Sequence, residues 1–249
     1  MPKFFVTTDQ IRQETITIQN EDVNHIKNVL RAKVDDKIDI CDYTTSKNYI
    51  CKIEKIEDKK IECRIIEKVE SNVESKIKVS IFQGLPKADK MELVIQKSVE
   101  LGAYDITPIE MKRCVVKLNE KDKIRKIQRW QKISETAGKQ SGRDIIPNIN
   151  NIIKIKELCK KFKEYDLVLV AYENEKENTL KQELKKIENA KNKEIKIAII
   201  IGPEGGIDKE EIEQFENYGA KIITLGNRIL RTETVALSML SIIMYELES

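Results

Sequence analysis

The sequence predicts an α/β protein: a small β-rich region over residues 1–70, then a mostly parallel sheet with helices on both faces over 76–249. Three observations predict it. Before residue 70, apolar and polar residues alternate in several short runs, the period of half-buried strands. After the polar link Glu70–Ser75, strand-like and helix-like segments take turns, the pattern of a parallel sheet covered by helices. Finally, the apolar run Ile195–Ile201 ends in Gly202-Pro203-Glu204-Gly205-Gly206, which holds three of the nine glycines, and a helix start follows it.

In the first region, Phe4–Val6, Thr15–Ile18, Ile38–Cys41, Tyr49–Ile56 and Ile61–Val69 are expected strands. One helix interrupts them, Asp22 to Leu30, with Val23, Ile26, Val29 and Leu30 on one side. A small β module of this size often binds RNA. His25 and Arg31 flank the helix. His25 reads as a surface or capping residue; Arg31 either complements the helix macrodipole or reaches a phosphate.

In the second region Ile77–Phe82 is an expected strand, followed by a helix over Lys87–Leu101 that Gly102 stops. Asp105–Ile109 and Cys114–Val116 read as short strands. A long helix spans Glu120–Lys139, with Ile124, Ile127, Trp130, Ile133 and Ala137 facing inward and a basic face from Lys121 to Lys132. Gln140-Ser141-Gly142-Arg143 breaks it. Helices over Lys154–Phe162 and Glu177–Ile187 flank a strand at Leu167–Ala171. After the Ile195–Ile201 strand, Asp208 with Glu211 three residues on reads as a capping box for a helix to Tyr218. A strand at Lys221–Leu225, a loop and a helix from Thr232 to Glu246 complete the chain.

Composition narrows the function. With 45 basic and 42 acidic residues the net charge is +3, so any nucleic-acid site must arise from local clustering of Lys and Arg. The five cysteines, Cys41, Cys51, Cys63, Cys114 and Cys159, include no C-x-x-C pair, and there is a single histidine; neither a zinc site nor a disulfide framework is expected. Reduced thiols in a cytosol fit this pattern, and no apolar run is long enough for a membrane span.

Three loops follow late strands: Tyr172-Glu173, the glycine pentad, and Gly226 through Thr234. Parallel strands place all three at one sheet edge, making a composite pocket lined by backbone, flanked by Ile201, Leu225, Ile229 and Leu230. Competing ligand motifs fail. No G-x-G-x-x-G follows an early strand, and Gly138-Lys139 is followed by Gln140 rather than Ser or Thr.

Gly202-Pro203-Glu204-Gly205-Gly206, together with Leu225-Gly226-Asn227-Arg228-Ile229-Leu230-Arg231-Thr232-Glu233-Thr234-Val235-Ala236, resembles the SPOUT methyltransferases. Gly84-Leu85-Pro86-Lys87, Lys97 through Glu100-Leu101-Gly102, Arg129-Trp130 and Gln140-Ser141-Gly142-Arg143 make the chain similar to the bacterial RsmE family over nearly its full length. The resemblance implies S-adenosylmethionine-dependent methylation of N3 of one uridine in small-subunit (16S) ribosomal RNA. It further implies a C-terminal trefoil knot, an N-terminal PUA-like RNA-binding barrel, a homodimer, and assembled ribosomal particles as substrate. Two rivals are another SPOUT enzyme, such as a ribose 2′-O-methyltransferase, and a catalytically silent RNA-binding assembly factor.

Carried onto this chain, the cofactor positions are Ala171, Tyr172, Glu173, Ile201, Gly202, Pro203, Glu204, Gly205, Gly206, Leu225, Gly226, Ile229, Leu230, Arg231, Thr234 and Ala236. Arg231 is the candidate for favouring the deprotonated uracil. Glu204 and Glu233 are either bases or loop-ordering carboxylates. Expected RNA contacts are Lys3, Arg31, Lys87, Lys90, Arg113, Gln140, Ser141 and Arg143. Lys3 stands where family members often have Arg, which keeps the charge and loses the planar fork.

Overall fold

The computed structural model of the chain describes residues 3–187 and 193–248. They form two compact units: the chain up to Glu74 together with Gly138–Ile146, and the remainder.

The first unit runs β1 (Lys3–Val6), β2 (Ile11–Arg12), β3 (Thr15–Gln19), α1 (Glu21–Asn24), β4 (Lys37–Asp42), β5 (Lys47–Ile56) and β6 (Lys60–Val69). The strands lie in the order β1-β4-β5-β6-β3-β2, antiparallel except for β1 beside β4. The two-residue period works as expected: Ile16 and Ile18 of β3, and Ile38 and Ile40 of β4, are buried in one core. The expected helix over residues 22–30 is corrected. After α1 the chain widens into a π turn at His25–Val29, closed by Leu30 N–H donating to the His25 carbonyl at 3.0 Å. The extra residue per turn rotates the later side chains off the apolar face. Val23 and Ile26 are buried, whereas Val29 is 63% and Leu30 38% exposed.

Ion pairs bind Gly138–Ile146 into this unit. Lys139 pairs with Asp22 at 2.9 Å, and Arg143 with Glu74 at 2.6 Å. Glu74 also accepts the Asp144 N–H at 2.9 Å, while Lys3 reaches the Asp144 carboxylate at 2.5 Å.

The second unit runs β7 (Ile77–Gly84), α2 (Lys90–Glu100), β8 (Asp105–Glu110), α3 (Glu120–Ser141, whose last turn from Gly138 belongs to the first unit), β9 (Asn148–Ile149), β10 (Ile153–Lys154), α4 (Ile155–Lys161), β11 (Leu167–Ala171), α5 (Leu180–Lys185), β12 (Ile195–Ile201), α6 (Lys209–Asn217), β13 (Lys221–Ile223) and α7 (Thr232–Glu248). Its sheet order is β10-β8-β7-β12-β11-β13, with β9 also on β8, and the pairs are parallel. β12 is central, and six of its seven residues are buried, as a strand covered on both faces requires. Register aligns the strand ends: Gln83 lies opposite Ile201, Val170 opposite Ile200, and Ala171 opposite Ile223. The loops after β7, β12, β11 and β13 therefore emerge at one edge.

Two expectations are corrected here. Cys114–Val116 is not a strand: Cys114 N–H donates to the Met111 carbonyl at 3.1 Å, and Met111 N–H donates to Cys114 Sγ at 3.4 Å, so a local turn takes these groups. Ile124, expected to face inward, is 61% exposed near the start of α3, while Trp130 and Ala137 are buried.

β8 also carries a buried acid. Burial pushes the Asp105 carboxyl above the usual carboxylate range, outweighing its hydrogen bonds from Ser80 and Asn150, and its Oδ1 has no partner. A folded-state value above the unfolded one means stability is fully present at acid pH and is lost as pH rises toward the raised value. Asp105→Asn is therefore expected to raise the melting temperature, more at mildly alkaline than at mildly acid pH, as thermal unfolding across pH will show.

Candidate functional site

The shared edge of the second unit holds a cavity of about 430 Å³. Its first wall follows β11: Ala171, Tyr172, Glu173 and Lys176. Its second is the glycine turn, residues 201–207. Its third is the loop after β13, residues 224–232, with Val235, and Lys90 of α2 completes the lining.

Local chemistry shapes each wall. Asp208 caps α6 by accepting the Glu210 N–H, and Glu211 accepts the Asp208 N–H at 3.1 Å, so the expected capping box is present. Glu211 also takes the Lys112 N–H at 2.7 Å, and Arg113 donates to the Gly205 carbonyl at 3.2 Å. Gly206 adopts φ +71°, and a Cβ there would sit 2.5 Å from Glu173 Oε1. Glycine thus permits both the left-handed turn and the approach of the first wall. Tyr172 N–H donates to the Ile223 carbonyl at 3.0 Å, which ties the first wall to β13.

Beneath the cavity lies a buried polar knot of three segments. Gln83, fully buried at the end of β7, donates through Nε2 to Thr232 Oγ1 at 2.8 Å and to the Gly84 carbonyl at 3.0 Å. Thr232 Oγ1 donates in turn to the Gly202 carbonyl at 2.6 Å.

At the mouth, Lys90 Nζ lies 3.1 Å from Glu204 and 3.4 Å from Glu233. Partial burial alone pushes the Glu204 carboxyl up. Backbone donors, the Lys87 N–H among them, and Lys90 outweigh it, and the net direction is down. Hydrogen bonding to Glu204 and the charges of both acids hold Lys90 protonated above its ordinary value. A carboxylate already paired and made less basic is suited to ordering loops rather than to taking a proton.

Of the expected cofactor positions, all but Thr234 and Ala236 line the cavity. Those two lie outside the lining. α7 begins at Thr232, so Thr232 and Val235 share the helix face toward the cavity, and Ala236 points into the core with no exposure. Asn227, Arg228 and Thr232 line it as part of the expected late loop, whereas sequence reasoning missed Val235, Lys176, Ile207 and Thr224. Val235 lay inside the recognised motif, which was the available signal; Lys176 had none.

The expected RNA contacts separate in the same way. Arg143 is buried and paired with Glu74, and Lys3 is held by Asp144 and the Gly142 carbonyl. These two side chains hold the first unit together, and neither presents a free cation to a phosphate. Arg113 is occupied by Gly205 and Asp208. Lys90 belongs to the cavity mouth. Arg31, Lys87, Gln140 and Ser141 are exposed. On the basic face of α3, Lys123, Arg125 and Arg129 are paired with Glu110, Asp122 and Glu92, which lowers the face's attraction for a polyanion. His25 packs edge-on against Phe4 at 6.0 Å, a surface packing role.

Residues 73–244 match the model of an RNA methyltransferase domain, and residues 18–66 that of an RNA methyltransferase PUA domain. The chain is 36% identical to ribosomal RNA small subunit methyltransferase E of Bacillus subtilis, covering 100% of this chain and 98% of that protein. It is 35% identical to the protein of the same name from Mesomycoplasma hyopneumoniae, covering 97% and 98%. Among solved structures, ribosomal RNA small subunit methyltransferase E from Neisseria gonorrhoeae bound to S-adenosyl methionine superposes with a TM-score of 0.85 at 28% identity, covering 98% and 97% of the two chains. A putative methyltransferase from Legionella pneumophila with bound SAM gives 0.84 at 29% identity, covering 98% and 96%.

Proposed function

This chain belongs to the ribosomal RNA small subunit methyltransferase E family, and on that premise we propose that it methylates N3 of one uridine in 16S ribosomal RNA, using S-adenosylmethionine. The observation that carries the reading is the cavity enclosed by three strand-end loops at one sheet edge.

The residues present fit S-adenosylmethionine. The volume of about 430 Å³ suits a ligand of that size. Gly202 and Gly206 bring main chain to the surface where a Cβ has no room. Ile201, Leu225 and Leu230 offer apolar flanks for a purine, and backbone groups of the 224–231 loop offer hydrogen bonds to its edge. The bound cofactor supplies an electrophilic methyl on a cationic sulfur.

This chain's own residues supply orientation and charge. The glycine turn and the late loop hold the donor in line. Arg231 lines the cavity with its side chain exposed, placed to favour the uracil anion that N3 attack requires. Lys90 lies between Glu204 and Glu233, which act as loop anchors. Glu204→Gln is accordingly expected to keep kcat within about tenfold of the parent, since loss of a true general base costs about 10²–10⁴-fold. Rates at saturating cofactor, with cofactor affinity measured separately, will decide.

For RNA, the reading places Arg31 on the exposed side of the π turn, with Val29 and Leu30 beside it. Arg31→Ala is expected to weaken RNA binding at low salt and to reduce the slope of log affinity against log salt by about 1. An unchanged slope removes Arg31 from the footprint. A homodimer belongs to the same proposal: exposed Leu93 of α2 with Leu101 just past its end, and Ile242 and Tyr245 of α7, lie on two helices that pack together. So does a C-terminal trefoil knot, for which the non-sequential order β7-β12-β11 gives support. A cytosolic setting is proposed from five buried free thiols.

The decisive experiment is nucleoside analysis of 16S RNA from a strain lacking this chain, before and after treatment of its small subunits with the purified protein and S-adenosylmethionine. Restoration of N3-methyluridine is expected. A ribose-methylated product, or none, overturns the reading.

A further inference from the structure

The buried knot beneath the cavity has a chemistry that the fold alone does not need. A glutamine next to Ile81 and Phe82 near the end of a covered strand is unusual, and here it is fully buried. Its carboxamide orientation is fixed by its neighbours. Nε2 faces three oxygens: Thr232 Oγ1 at 2.8 Å, the Gly84 carbonyl at 3.0 Å and the Gly202 carbonyl at 3.4 Å. Rotating the amide would set Oε1 against two carbonyls. In the orientation found, Oε1 is buried with no partner. An unsatisfied buried acceptor is a cost, which a leucine or methionine here would avoid. The return is specific: one side chain sets both walls that matter. Gly202 opens the glycine turn and Thr232 closes the late loop, and both line the cavity, whereas Gln83 does not. Thr232 stands between them, accepting from Gln83 and donating to the Gly202 carbonyl. Gln83 thereby fixes which way the Thr232 hydroxyl proton points. With its carbonyl taken from behind, Gly202 keeps one peptide orientation toward the ligand.

We propose that Gln83 is a positioning residue of the methyl-transfer site, which acts through the Thr232 hydroxyl to hold the Gly202 turn and the start of α7 in the register that binds S-adenosylmethionine. The inference rests on the functional reading above and deepens it. It assigns the coupling of two cofactor loops to a residue that touches neither cofactor nor RNA. The linkage is serial, so breaking it at either point has the same consequence.

The test uses the full chain, with S-adenosylmethionine affinity by calorimetry, single-turnover methyl transfer to unmodified small subunits, and thermal unfolding. Gln83→Met and Thr232→Val keep volume and remove the hydrogen bonds. Each is expected to weaken cofactor affinity about tenfold, the scale of one buried hydrogen bond. The double variant is expected to weaken affinity by no more than about twentyfold, short of the roughly hundredfold that independent sites would give. Thr232→Ser, which keeps the hydroxyl, is expected to stay within about threefold of the parent. A purely structural role predicts a lower melting temperature with cofactor affinity and saturated rate unchanged in the folded protein. That result overturns the proposal, as does a double variant whose losses multiply. If Gln83→Met does not fold, the contrast between Thr232→Val and Thr232→Ser decides alone: equal affinities overturn it. Failure of the parent chain to bind S-adenosylmethionine sinks the functional reading instead, and is read from the unmodified protein.

Discussion

Gly84→Ala is expected to weaken S-adenosylmethionine binding by about 10- to 100-fold, although Gly84 does not line the cavity. The cause is distance. A Cβ on Gly84 would lie 2.7 Å from Pro203 Cδ, 2.8 Å from Pro203 N and 3.0 Å from Met111 Sδ. Contacts this short require movement, and the neighbours have little freedom. Gly84 pairs with Ile109 in the sheet, and Leu85 N–H donates to the Ile109 carbonyl at 3.0 Å, so β7 stays in place. Pro203 is a rigid ring in the glycine turn, with its preceding carbonyl held by Thr232. The easiest relief is for Pro203 to shift toward the cavity, carrying the turn with it. Overpacking of this kind costs about 1–3 kcal/mol, and here the strain falls on the cofactor loop. Gly219→Ala is the control. Gly219 has φ +92° at the end of α6, with nothing within 4 Å of a Cβ. Its substitution is expected to lower the melting temperature through backbone strain and leave cofactor affinity unchanged. Calorimetry on both variants tests the pair. Cofactor affinity of Gly84→Ala within about threefold of the parent would show that the turn absorbs the methyl elsewhere.

The contrast between these glycines marks what a sequence can and cannot display. The strand Ile195–Ile201, its glycine turn and the Asp208–Glu211 cap are local patterns, and each forms where its residues say it should. The alternation of strands and helices likewise suffices for a parallel sheet, and parallel pairing suffices to gather the loops. Non-local facts are different in kind. Nothing along the chain says that Gly84 meets Pro203, or that Gln83 reaches Thr232, 149 positions later. The π turn at His25–Val29 is a single inserted residue that leaves the apolar spacing looking helical, so Val29 and Leu30 read as core. Charge was the least legible feature. Arg143 and Lys3 have the look of surface cations in the sequence. Their carboxylate partners, Glu74 and Asp144, come from distant positions, and pairing turns both cations into internal braces. In the sequence Glu204 and Glu233 stand open between base and loop anchor, because Lys90, which lies against both, comes from a helix over 100 residues earlier.

Arg231→Met is expected to lower the saturated methyl-transfer rate by about 10²–10³-fold, with cofactor affinity little changed. The backbone of Arg231 is fixed at the start of α7, where its carbonyl accepts the Val235 N–H at 2.9 Å. Its side chain is exposed at the cavity and has no carboxylate partner among the described residues. Glu204 and Glu233 lie against Lys90, and Asp208 against Lys112 and Arg113, while Glu173 of the first wall is salt-bridged to no described cation, Arg231 included. On the proposed function, Arg231 is the cation of the late loop that meets the incoming base without a salt bridge of its own. Uridine N3 carries its proton at neutral pH, and only the anion is a good nucleophile. A cation beside the uracil carbonyls favours the anion, and so raises its population in the complex. Removing that cation passes the task to bulk pH. The rate of Arg231→Met is therefore expected to climb about tenfold per pH unit through the neutral-to-alkaline range, while the parent's climbs less steeply and levels off sooner. Arg231→Lys keeps the charge and loses the planar fork, and is expected to fall between the two with a parent-like pH profile. If Arg231→Met shows the parent's profile shifted only in height, Arg231 orients the RNA rather than stabilising the anion. The base must then lose its proton to a group other than those charged at this mouth.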